Sequence, residues 1–191
     1  MVIKPDTRTA LLDFAEQAAR ARGFDGFSYA DLAKAAGIRT ASIHYHFPTK
    51  AILSAALMDR YHANFERLCE DISKQSETAG GRMLALIALY RAALSGGKTT
   101  CLCVSLTSSK DSLTDDVVGK VNAFRSMMVV WLTKVFTLAQ GDLTISAVAN
   151  AEQEARASLA VLEGAHLAAR AEENVAIFDE ALSVLSMRCA Q

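Results

Sequence analysis

A chain of 191 residues and 20.5 kDa is long enough for one compact domain, or for a small module attached to a larger one. Apolar residues make up 51% and charged residues 21%, with 2 prolines, which excludes a disordered tail, a collagen-like repeat and a low-complexity linker. The net charge of −1 is uneven: residues 1 to 60 hold 8 basic and 6 acidic side chains, and the remainder holds 12 and 15. This small asymmetry has the sign of an N-terminal anion-binding module on a near-neutral body.

The N-terminus, MVIKPDTRTALLDF, mixes its apolar residues with Asp6, Arg8 and Asp13, so it lacks the apolar core of a secretory signal. The most apolar stretch, Met127 to Phe136, is broken by Thr133 and Lys134 and falls short of the roughly 20 residues of a membrane-spanning helix. A cytoplasmic protein without a membrane partner is expected. The cysteines, at 69, 101, 103 and 189, have neither the density of a disulfide scaffold nor the paired spacing of a structural zinc site, so reduced thiols are expected.

Both prolines, Pro5 and Pro48, lie in the first quarter of the chain, and glycines provide the remaining punctuation. Thr7 to about Arg22 reads as a first helix ended by Gly23. Ser28 caps a second, with Asp31 at the capping-box position, and Gly37 stops it in a left-handed turn. A third runs from about Thr40 to His46, and Pro48 forces the chain out before Thr49 caps a longer one.

Further on, Val117, Val121, Phe124, Met128, Trp131, Val135 and Leu138 step by four and three residues along one face of a long helix, with Thr114 as N-cap and Asp115 and Asp116 in its first turn. Two more amphipathic helices follow, one through Val148, Ala151, Ala155, Leu159, Leu162, His166 and Ala169, the other through Phe178, Leu182, Leu185 and Cys189, with Asn174 as the cap between them. No segment alternates with strand period, so the fold class is all-α.

From Tyr29 to Phe47 the chain reads YADLAKAAGIRTASIHYHF. Two short helices meet at a tight turn containing Gly37, with small Ala33 at the closest approach and with Leu32, Ala36, Ile38 and Ile43 turned inward. This is the helix-turn-helix pattern. Its second helix offers Arg39, Thr40, Ser42, His44 and Tyr45, side chains suited to phosphates and base edges. His44 and His46 sit two residues apart, pointing about 200° from each other on a helix, so no metal site is expected there.

The segment GIRTASIHYHFPTKAIL resembles the recognition helix and following turn of TetR/AcrR-type transcriptional regulators through Gly37, Ile38, Ser42, Ile43, His46, Phe47, Lys50 and Leu53. His44 departs from the usual Tyr, and a contact from it would carry a pH-dependent charge. The resemblance covers residues 7 to about 60. It implies an N-terminal three-helix DNA-binding domain, residues 1–50, followed by a helical effector-binding and dimerisation domain, residues 51–191. It implies phosphate contacts from Ser28, Tyr29, His44 and Lys50, and base-edge contacts from Thr40, Ala41 and Tyr45, with Arg39 and Ser42 nearby.

The implied function is a repressor that binds an inverted-repeat operator in double-stranded DNA as a homodimer and is released by a small, mostly apolar effector, with no cofactor, metal or enzymatic activity. Candidate effector residues are Cys101, Cys103, Phe124, Met127, Met128 and Trp131. The candidate dimer face is Ala151, Ala155, Leu159, Leu162 and Ala165 together with Phe178, Leu182 and Leu185. The competing readings are an all-helical carrier or enzyme with a vestigial helix-turn-helix, and an adaptor whose second and third helices dock on a partner protein.

Overall fold

The computed structural model describes residues 6–189; Pro5 and the opening residues of the N-terminal reading lie outside them. Helices α1 (Thr7–Arg22), α2 (Tyr29–Ala36), α3 (Thr40–His46), α4 (Lys50–Gln75), α5 (Ala79–Ala93) and α6 (Leu102–Thr107) are followed, after a short 3-10 turn, by α7 (Asp115–Asp142), α8 (Ala151–Ala171) and α9 (Val175–Ser186). Among the described residues there is no strand, only one isolated antiparallel bridge between Ile145 and Cys189. No helix among them is long and apolar enough to cross a membrane. The chain packs as two compact units, Met1–His62 with Leu102–Asn122, and Ala63–Cys101 with Ala123–Gln191.

In the first unit the local signals set the helix ends. The Ser28 hydroxyl accepts the Asp31 N–H, and the Asp31 carboxylate accepts the Ser28 N–H at 2.7 Å, which completes the capping box of α2. Gly37 closes that helix at φ 66°, a left-handed conformation that costs an L side chain about 1 kcal/mol or more. Leu11, Leu32, Ile43, Phe47 and Leu53 form the centre of a small core and are almost fully buried. Arg60 of α4 donates to Asp13 and Glu16 of α1, at 2.6 and 2.8 Å, and the Ser105 hydroxyl of α6 donates to the Ala19 carbonyl. The helix-turn-helix is therefore held on a rigid seat. Ala36 and Ile38, expected inside, are only half-buried.

In the second unit His166 of α8 is fully buried. Its Nδ1 accepts the Cys101 N–H at 2.9 Å, and its Nε2–H donates to the Tyr90 carbonyl at 3.0 Å, so α5, α8 and the segment before α6 share one neutral imidazole. Tyr90 and Phe178 meet its ring edge-on. Arg91 clamps Asp179 with two hydrogen bonds and ties α5 to α9, while Arg125 pairs with Glu163 between α7 and α8.

Two expectations about side-chain faces are corrected here. On α7 the buried stripe runs Val117, Val121, Phe124, Met128, then Leu132, Val135, Phe136 and Ala139, leaving Trp131 and Leu138 half-buried. A four-three alternation has period 3.5, and a straight helix drifts about 20° per heptad against it, so the stripe moves on by one residue after two heptads. The larger correction concerns α8 and α9. Ala155, Leu159, Leu162, Ala165, Phe178, Leu182 and Leu185 are buried within the single chain, and Ala151 is half-buried at the start of α8. They pack α8 and α9 into the chain's own core and cannot form the surface of a dimer. The exposed face of these helices carries Ala157, Ala160, Gly164, Leu167 and Ala168 on α8, and Val184 and Met187 at and just beyond the end of α9.

Candidate nucleic-acid interface and effector cleft

Helix α3 leaves only Ile43 fully buried, and Phe47 just after it anchors the helix from below. Arg39, Thr40, Ala41, His44 and Tyr45 are exposed and Ser42 is half-buried. Tyr45, 84% exposed, protrudes furthest, with its ring edge-on to His46. A phenol held out in water by a seven-residue helix is well placed to meet a base edge. The expected readers are thus brought together on one exposed surface. His46 is half-buried, not a core residue.

The phosphate candidates are less free than the resemblance implies. The Ser28 hydroxyl is engaged with Asp31, donating to its carboxylate at 2.7 Å and accepting its N–H. The Tyr29 hydroxyl donates to the Phe47 carbonyl at 2.9 Å, and burial pushes its pKa up to about 12. Its ring stacks edge-on with His44, whose Nδ1–H donates to the Pro48 carbonyl, leaving Nε2 without a partner among the described residues.

Lys50 departs furthest from expectation. Its ammonium donates to the carbonyls of Phe24 and Phe27 and lies over both aromatic rings, at 4.5 and 4.2 Å from their centroids. Burial lowers its pKa, against the opposing charges of Asp25 and Asp31. The side chain staples the loop between α1 and α2 to the start of α4. Lys34 and Arg39, on either side of Gly37, are exposed cations with no ion-pair partner among the described residues. Lys34 escaped the sequence reading, although its place in the last turn before the tight turn marked it.

In the second unit a cleft of about 540 Å³ opens between α4 and α7, lined by Cys69, Ser73 and Lys74 on one side and Met127, Val130, Trp131 and Lys134 on the other, with Arg82 of α5 at its edge. The Trp131 indole N–H donates to the Cys69 carbonyl at 3.2 Å and to the Ser73 hydroxyl at 3.1 Å. Of the expected effector residues, Met127 and Trp131 line this cleft. Cys101, Cys103, Phe124 and Met128 are fully buried core and do not. A buried cysteine, a buried methionine and a pocket-lining one share the same spacing, so the sequence did not separate them. The Cys69 thiol, not among the expected effector residues, has its pKa pushed up to about 12 by burial and by the Glu66 charge, which favours the neutral thiol.

An all-helical chain with an N-terminal helix-turn-helix and a separate helical unit is the build of a two-part regulator. The family of bacterial regulatory proteins called tetR matches residues 11–57. A transcriptional regulator of the TetR family from Agrobacterium tumefaciens is 28% identical, with a TM-score of 0.89 over 96% of this chain and 97% of its own. A TetR regulator from Legionella pneumophila shares the fold at 24% identity and a TM-score of 0.88, covering 100% of both chains. The HTH-type transcriptional regulator TtgR of Pseudomonas putida is 33% identical over 72 residues, 38% of this chain, and that match spans 34% of its length. Residues 11–57 therefore carry the DNA-binding segment of that family, and the chain as a whole shares the fold of TetR-family regulators.

Proposed function

We propose that the chain is a transcriptional repressor that reads an inverted-repeat operator with α3, as a homodimer, and lets go when a small effector fills the cleft beside Trp131. The exposed Tyr45 on a helix with a buried anchor carries this reading, because base readout needs a side chain that reaches into solvent from a helix seated on a core. Tyr45, Thr40 and Ala41 are assigned to base edges, with Ser42 beside them. Arg39, Lys34 and His44 are assigned to phosphates, while Ser28, Tyr29 and Lys50 hold the module's shape.

The exposed apolar face of α8 and α9 supports the homodimer. Its small residues let a second pair of helices approach closely, and Leu167, Val184 and Met187, at 50%, 60% and 85% exposure, supply the apolar area. The regulatory step is linkage: an effector that fits the free conformation better than the DNA-bound one shifts the population away from binding. Salt titration of binding to operator duplex tests the reading. Affinity should fall linearly on a log–log scale with salt, and Tyr45→Ala should reduce the preference for the operator while sparing random duplex.

A further inference from the structure

The charges around the cleft are not balanced. Lys74 lies 3.8 Å from Glu70 and 3.9 Å from Asp71, and Arg82 is engaged by the carbonyls of Ser73 and Ser76. Lys134 has no ion-pair partner among the described residues. Helices α4 and α7 run in the same direction here, because Phe65 meets Phe124 and Cys69 meets Trp131. Glu66 therefore stands toward the Met127 end, and Lys134 lies one turn past Trp131 at the other. Between these ends the α7 wall is apolar, through Met127, Val130, Trp131 and Val135, while on the α4 wall Glu70 faces Lys74 and Ser73 accepts from the indole. Trp131 is fixed by the two hydrogen bonds of its indole N–H, so its polar edge is satisfied before any ligand arrives.

From this polarity we infer that the cleft takes a flat, apolar organic anion, its ring system against Trp131 and Val130 and its carboxylate at Lys134. The inference rests on the cleft being the effector site, and it adds the ligand's charge and orientation. A volume of about 540 Å³ suits one molecule of two or three fused rings. An anion placed at the Lys134 end meets the uncompensated cation and stays clear of Glu66. A ligand cation would need the reverse orientation.

Calorimetric titration of the full chain with 2-naphthoate, neutral 2-naphthamide and 2-naphthylmethylammonium tests it. Naphthoate should bind about fivefold or more tightly than the amide, and Lys134→Gln should remove that advantage while leaving amide affinity and melting temperature unchanged. Equal affinities for acid and amide, tighter binding of the ammonium, no binding of naphthoate at millimolar concentration, or a naphthoate advantage that survives Lys134→Gln would each overturn it. Operator binding on the same samples separates the two readings. Naphthoate that binds through Lys134 without loosening the operator upholds the ligand assignment and removes the effector role. Operator release by the amide and the acid at equal concentrations removes the ligand assignment and keeps the effector role.

Discussion

At the scale of single residues, the contrast between Tyr45 and Lys50 carries most of the account. Tyr45 reaches into solvent and touches only the His46 ring edge-on, so Tyr45→Ala should leave stability within about 0.5 kcal/mol and lower affinity for the selected operator by about 1 to 3 kcal/mol, with random duplex nearly unaffected. Competition binding with the two duplexes measures the difference, and equal losses on both would remove the assignment of base readout to Tyr45. Lys50 behaves in the opposite way. Its ammonium is tied to the carbonyls of Phe24 and Phe27, and truncation leaves two half-buried acceptors short of a charged donor. Lys50→Met should therefore cost about 1.5 to 3 kcal/mol of stability in urea denaturation. An unchanged denaturation midpoint would show that the ammonium is free in solution and available to phosphate.

At the scale of the helices, the first unit was legible and the faces of the last two were not. Ser28, Gly37, Pro48 and Thr49 act through local chemistry: Ser28 caps α2 and Gly37 ends it, α3 stops at His46 just before Pro48, and the Thr49 hydroxyl accepts the Ile52 N–H at the start of α4. Gly23 likewise ends α1, with its N–H on the Ala19 carbonyl. For α8 the apolar spacing marks one face, through Ala155, Leu159 and Leu162, and the structure shows a second face of small residues, through Ala157, Ala160 and Gly164. Hydrophobic spacing does not say which of them meets the chain's own core and which meets a partner. The inward orientation of Lys50 was hidden for a similar reason, because a charged residue at a helix start reads as a phosphate ligand until the aromatic rings behind it are placed.

The α8 correction has a direct test. Leu162→Asp puts an unpaired carboxylate in the core and should destabilise the folded chain by about 3 kcal/mol or more. Val184→Asp lies on the exposed face and should leave chain stability nearly intact while shifting sedimentation from dimer to monomer. A Leu162→Asp protein that melts normally would contradict the placement of that residue.

The capping box of α2 gives a pH dependence. The Ser28 side-chain and backbone donors hold the Asp31 pKa below its usual 3.8, against a small opposing effect of burial. A carboxylate whose folded value is depressed contributes stability that is fully present above its unfolded value and is lost as pH falls through the folded one. The stability advantage of the wild-type chain over Asp31→Ala should thus be constant near neutrality and shrink as pH falls below about 4. Thermal melts between pH 3 and pH 7 measure it, and an advantage that persists undiminished at pH 3 would contradict the assignment.

At the scale of the whole molecule, the proposed function assigns DNA readout to one exposed helix of the first unit and ligand recognition to the cleft of the second. The resemblance covered only the first third of the chain, and the rest of the family architecture became visible through three-dimensional likeness. Buried and cleft-lining apolar residues of α7 share one spacing, so little of the cleft could be read from one sequence. The central claim is that α3 reads a two-fold symmetric DNA site. Selection of bound sequences from a random duplex pool by the full-length chain at moderate salt tests it most directly. The account predicts recovery of an inverted repeat whose half-sites are both required, with enrichment weakened by Tyr45→Ala at the same position of both half-sites. Recovery of no enriched sequence, or of a single unrepeated site unaffected by Tyr45→Ala, would contradict it.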